Sequence, residues 1–255
     1  MNTTAFTDKI NHAANTMVAT FSEFAKLLDE ATRPGRQQLL AIDEASVDAG
    51  ALQLDAALLN AVPIVAAPVH CEFFALQGNG HRFVMGAGGL YLEVRREWLH
   101  FIHCIGPVEN VAMPYGVVTA KCEMAFGRVG NALSQLRDFA VHSVAEAPNE
   151  AGGFVLWNSA TDTWRIEYPE ATATATSLTY TPVDPGENEH VVIDLHSHGS
   201  LPAFFSDTDD RDDAGSVKIA GVYGNVDTSS PTVCFRICVL GLTIPLTVPV
   251  ARIFE

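Results

Sequence analysis

Positive charge is scarce in this chain: 15 lysines and arginines stand against 30 aspartates and glutamates, a net of −15 at pH 7. The deficit is uneven, −5 over residues 1–125 and −10 over 126–255. A surface this negative repels phosphate backbones and anionic lipid, which argues against nucleic-acid and membrane partners. Long hydrophobic runs are missing too, and no apolar stretch approaches the roughly 18 residues that a membrane span needs. Cysteine is sparse: Cys71, Cys104, Cys122, Cys234 and Cys238 are odd in number and form no C-x-x-C pair. No charged-then-apolar leader opens the chain, so the expectation is a cytoplasmic protein with reduced thiols. Histidine is rare as well, at nine residues, so two that fall together stand out.

What is present is an ordinary globular composition, 48% hydrophobic and 18% charged, far from that of a disordered chain. The 255 residues allow one large domain or two of about half that size. Residues 7–28 place Ile10, Ala14, Met17, Phe21, Phe24 and Leu28 at helical spacing. Residues 31–50, with Pro34 and Gly35, read as a linker or irregular segment. From about 62 to 124 the runs "PIVAAPVHCEFFAL", "HRFVMGAGGLYLEVRREWLHFIHCI" and "YGVVTAKCEMAF" predict short strands, with turns at "QGNGH" and "GAGG". A second helix is predicted over 127–146, with Val129, Leu133, Leu136, Ala140 and Val144 as its apolar stripe, stopping before Pro148. Strand-like runs follow: "GGFVLWN", "TWRIEYP", "ATATATS", "HVVIDLH", "VKIAGVYGN", "TVCFRICVLG" and "LTIPLTVPVARIF". Strands with few helices and no regular β-α alternation predict an α+β fold, with a smaller β-rich domain over 1–125 and a second domain over 126–255.

The stretch "HVVIDLHSHGSLPAFFSDTDDRDDAG" (190–215) concentrates the chemistry. His196 and His198 follow an apolar run, and residues i and i+2 of a strand point to one face, so two imidazoles can converge on one ion. Ser206 and Asp209 lie one helical turn apart and share a face if a helix begins there. Alone, that pair is better read as a helix-capping box. With Asp209 as a third ligand, a fourth tetrahedral position stays open for water, as in catalytic zinc sites.

"HSHGSLPAFFSDTD" matches H-x-H-x7-S-x2-D and so resembles the JAMM metalloproteases, also called MPN+ or Mov34/JAB. That family also carries an upstream glutamate in a context similar to P-x-E-x-x-G. "APNEAGGFVLW" at 147–157 places Glu150 there, directly after the predicted helix. The resemblance implies a cytidine-deaminase-like mixed sheet with flanking helices and one zinc ion per chain, held by His196, His198 and Asp209. It implies Glu150 as general acid/base, Ser206 as partner of a developing oxyanion or of the attacking water, and hydrolysis of a peptide or isopeptide bond. Many members have Pro after the second histidine where this chain has Gly199, which puts the loop's shape in question. The chain as a whole, including "GHRFVMGAGGLYLEVRREWLHF", resembles the JAMM-type proteins of the PRTRC system, a bacterial gene cassette. Its ThiF-like members suggest, by association, a ubiquitin-like protein as substrate and a ThiF-like activating partner.

Two rivals stand beside this reading. Amidohydrolase- or PHP-type hydrolases also use Asp-Leu-His-Ser-His, but their barrels need about 250 residues and further histidines. Here none follows His198. A metal-free MPN-type scaffold that only binds partners typically lacks some of the ligands, and here all five functional positions are present. Asp194, Asp207 and Asp210 are candidates to orient the histidines. For Asp207, Asp210, Asp212 and Asp213 a second functional reading is a surface for a basic substrate tail, and the competing one is a solvated acidic helix start, favoured by the helix dipole. His100 and His103 fall on opposite strand faces, against a second metal site. His70–Cys71 is expected as a structural pair with a buried thiol, and Cys234 and Cys238 as core residues.

Overall fold

A computed structural model of the chain describes residues 49–111, 113–181 and 183–254. The helix expected over 7–28 and nearly all of the segment expected over 31–50 lie outside the described residues. Helix α1 (Ala49–Ala61), rich in the strong helix formers Ala and Leu, precedes a compact unit that runs from Val62 to the carboxy terminus.

That unit is α+β and holds two main sheets. The first has the order β1 (Ile64–Ala66), β2 (Gly80–Gly86), β3 (Gly89–Arg96), β4 (Leu99–Pro107), β5 (Lys121–Met124). Only its β1–β2 pair is parallel. Strands expected through 63–76 and 115–126 shrink to β1 and β5, since Pro63, Pro68 and Pro114 lack the N–H that a ladder requires. One consequence corrects an expectation: Cys71 lies in this irregular stretch, exposed rather than buried.

After a 3-10 turn at Val129–Ala132, helix α2 (Leu133–Glu146) buries Leu136, Phe139, Ala140 and Ser143. The buried stripe is rotated from the expected one, and Val144 is exposed. The second sheet combines β6 (Gly152–Asn158), β7 (Thr163–Glu167), β10 (Glu189–Ser197), β11 (Val217–Gly224), β12 (Thr232–Val239) and β13 (Leu242–Leu246) in the order β13-β12-β11-β10-β6-β7. A separate hairpin joins β8 (Ala171–Thr174) to β9 (Ser177–Tyr180). The last predicted strand ends early, because Pro249 suits the start of a helix better than a ladder. There α4 (Val250–Phe254) begins, after α3 (Asp207–Asp213) in the chain.

The period-2 alternation of strands gives the second sheet two chemically different faces. Ile193 and Leu195 of β10, Ile219 and Tyr223 of β11, and Phe235 and Ile237 of β12 join one continuous core with Leu136 and Phe139 of α2. Leu92, Val94, Trp98, Leu99 and Phe101 of the first sheet belong to that same core. Phe126 ties the two sheets, lying 4.8 Å from the Trp164 ring and 6.0 Å from Trp98. On the opposite face, the strand registers bring together Asp194, His196, Lys218, Ala220, Arg236 and Cys238. The β10–β11 pair is parallel, so it needs a crossover, and that crossover (residues 198–216) contains α3. The motif therefore sits where β10 ends and the crossover begins.

Candidate metal centre

His196 is among the last residues of β10, paired with Val222 of β11 on one side and Gly152 of β6 on the other. His198 lies just past the strand, its amide bonded to the Tyr223 carbonyl. Two residues of extended chain bring the rings to one face, with Nε2 atoms 3.3 Å apart. Asp209 Oδ1 lies 3.5 Å from His196 Nε2, and the ligand atoms of all three residues fall within 4.8 Å of one another. A tetrahedral cation with bonds of about 2.0–2.2 Å holds its ligand atoms roughly 3.3–3.6 Å apart, which the two separations from His196 Nε2 match.

Protonation fits as well. His198 Nδ1 lies 3.2 Å from the Pro202 carbonyl, which can only accept, so Nδ1 carries the proton and Nε2 offers a lone pair. The Phe204 ring packs edge-on against this imidazole at 4.5 Å. Burial lowers the His196 pKa, and this outweighs the opposing pull of Asp209. Its imidazole is thus held neutral, the form that ligates.

Ser206 and Asp209 make the capping box, and the box also serves the site. Asp209 Oδ2 accepts from the Ser206 amide and hydroxyl, each at 2.7 Å, while Ser206 Oγ accepts the Asp209 amide at 3.3 Å. One carboxylate oxygen is pinned, and the other is left facing His196. The single hydroxyl proton of Ser206 is committed to Asp209, so here the serine orients the carboxylate.

Glu150 comes from the junction between α2 and β6. It lines a polar cavity of about 260 Å3 together with His196, His198, Ser206 and Asp209. Burial raises its pKa above the usual carboxylate value; nearby His198 opposes this and Asp209 adds to it. Its position is set by Ser197, the fully buried residue between the two histidines. Ser197 Oγ accepts the Ala151 amide at 2.9 Å, and the Ser197 amide donates to the Ala151 carbonyl at 2.8 Å. From the other side, the Glu150 amide donates to Thr174 of the β8–β9 hairpin at 2.8 Å.

Gly199 answers the question of the loop. Its φ is +54°, a value closed to proline, whose ring holds φ near −65°. A Cβ added there would meet the Pro148 carbonyl oxygen at 2.4 Å. The loop after the histidines therefore packs backbone to backbone against the segment leading to Glu150.

The three aspartates expected to orient the histidines sit differently. Asp194 bonds Lys218 at 2.6 Å and Tyr180 at 3.4 Å. Asp210 pairs with Arg236, and Asp207 is exposed with its carbonyl bonded to Arg211. For His198 the orienting bond comes from the Pro202 carbonyl instead. The solvated reading of the cluster fails for Asp213, which is buried and paired with Lys218 and Arg236.

Sequence reasoning missed Ser197, Pro202, the hairpin residues Thr176, Ser177, Leu178 and Tyr180 that wall the cavity, and Lys218 and Arg236. A signal for the last two existed, since each is a lone cation in an otherwise apolar strand. Among the described residues no other group of three His, Cys, Asp or Glu side chains converges as a metal site would require. His100 is instead buried against Glu93 at 3.0 Å, and His103 stacks on Phe101.

Residues 133–238 match the family model described as prokaryotic homologs of the JAB domain. Residues 52–125 match that of a domain of unknown function, DUF2016. No curated protein matches the chain significantly.

Proposed function

With residues 133–238 forming a JAB/MPN-type domain, we propose that this protein is a zinc-dependent hydrolase of peptide or isopeptide bonds. The observation that carries the proposal is the convergence of His196, His198 and Asp209 in the same cavity as a desolvated Glu150. His196, His198 and Asp209 would hold the ion. A divalent cation bound there supplies Lewis-acid chemistry, polarising a carbonyl and lowering the pKa of water. Glu150 takes the proton released as water attacks the scissile carbonyl and delivers it to the departing amine. Its raised pKa suits both halves of that task, because burial makes the carboxylate a better proton acceptor without preventing it from returning the proton. Ser206 keeps Asp209 turned toward the histidines. Ser197 keeps Glu150 beside them.

The substrate class we propose is the extended tail of a ubiquitin-like protein, with a ThiF-like activating enzyme as partner, on the strength of the resemblance to PRTRC proteins. The scaffold reading is disfavoured by the complete ligand set and by the capping box that orients Asp209. Metal content and cleavage test the proposal together, using a ubiquitin-like protein with a carboxy-terminal peptide extension. The wild type should bind one zinc ion and cleave. Glu150→Gln should keep zinc and lose about 10²–10⁴-fold in kcat. His196→Ala should lose zinc, and full occupancy in that variant would sink the ligand assignment.

A further inference from the structure

Helix α3 poses a packing problem. Its sequence, DTDDRDD, contains no apolar side chain, so it has no hydrophobic face to bury. Seven residues are also too few for a helix to persist unaided. Yet α3 carries Asp209, whose position must be held closely for the site to work.

The structure supplies ion pairs in place of apolar packing. Asp213, one turn after Asp209, is buried with both carboxylate oxygens occupied. Oδ1 meets Lys218 Nζ at 2.8 Å, and Oδ2 accepts from Arg236 Nη2 at 2.6 Å and Nε at 3.1 Å. Arg236 also reaches Asp210 through Nη1, and its guanidinium lies 3.8 Å over the Phe205 ring, just before the helix. Lys218 meanwhile contacts Asp194, two residues before His196, at 2.6 Å. It thus joins the strand that carries the histidines to the helix that carries the third ligand.

We infer that Lys218 and Arg236 are positioning residues of the metal site, docking α3 through Asp213 and Asp210 so that Asp209 faces His196. The inference rests on the metal-site reading above. It gives the acidic run a use: Asp210 and Asp213 are the helix's attachment points, and Asp209 is its working end.

Zinc affinity, measured by competition with a chromophoric chelator, tests this in Lys218→Met beside the wild type. The affinity should fall 10–100-fold, the range for losing a group that orients a ligand. The metal-free variant should still unfold cooperatively, and its cobalt(II) spectrum should change. A role in stability alone would leave affinity and spectrum untouched, and that result overturns the inference. If Lys218→Met does not fold, Arg236→Lys keeps the charge but loses the fork across Asp210 and Asp213. It should show a smaller fall, and wild-type affinity there is equally fatal. Amide hydrogen exchange over 209–213 in the metal-free proteins separates the two proposals. Should the wild type bind no zinc, the metal reading falls, while unchanged exchange in the variant removes the docking role by itself.

Discussion

Replacing Gly199 by alanine tests how the loop after the histidines is coupled to the segment bearing Glu150. Two costs can be read from the structure. At φ +54° any L-residue pays for the left-handed conformation, about 1–2 kcal/mol. The new Cβ would also stand 2.4 Å from the Pro148 carbonyl oxygen, when ordinary contact begins near 3.4 Å. Backbone must retreat by about 1 Å, and overpacking of this kind costs about 1–3 kcal/mol. The expected loss is therefore about 2–5 kcal/mol, measured by urea denaturation of the metal-free protein. Gly127→Ala is the matched control. Gly127 also has positive φ, +82°, but an added Cβ would meet nothing nearer than Asn131 Nδ2 at 3.9 Å. That variant should lose only the conformational part, about 1–2 kcal/mol. Because Pro148 is two residues from Glu150, Gly199→Ala should also slow cleavage by about 10²-fold, as expected for a catalytic group displaced by 1 Å. Equal stability losses in the two variants, or wild-type cleavage by Gly199→Ala, would refute the reasoning.

Ser197→Ala leaves the buried Ala151 amide without its acceptor, so stability should fall by about 1–3 kcal/mol. Zinc affinity should hold while kcat drops, and a variant that loses zinc and kcat in parallel would place Ser197 with the ligands. Glu150 must be deprotonated to accept a proton, and burial raises its pKa. The acidic limb of the pH profile of kcat/KM should therefore lie above the ordinary carboxylate value of 4.5, activity falling as pH drops through it. A limb at or below 4.5 would mean that Glu150 is not the base.

Much of the site was legible because its chemistry is compressed in sequence. His196, His198, Ser206 and Asp209 lie within 14 residues, at spacings that fit a strand and a helix start. In the structure β10 ends at Ser197 and α3 is capped by Ser206, so local geometry delivers what the spacing implies. The strands from 80 to 107 and from 152 to 158 were equally plain, since period-2 patterns and glycine turns are local signals. Errors came where a local breaker was overlooked or the decisive contact was remote. Cys71 sits in a run of apolar and aromatic residues, but prolines keep it out of the ladder. Val144 has helical spacing, yet the core lies on the neighbouring stripe of α2.

The residues alone therefore determined an α+β protein of strongly negative charge, with a His-x-His and Ser-x-x-Asp motif and an upstream glutamate. Tertiary structure decided what each remaining polar group does. Spacing cannot say that Asp213 is buried while Asp207 is exposed, because that depends on Lys218 and Arg236 arriving from two other strands. Nor can it say that Ser197 holds Ala151, or that Gly199 alone fits beside Pro148, since the partners of each pair lie 46 or more positions apart in the chain. Ligand identity is a matter of residue type and local period, whereas ligand position is set by packing between distant segments.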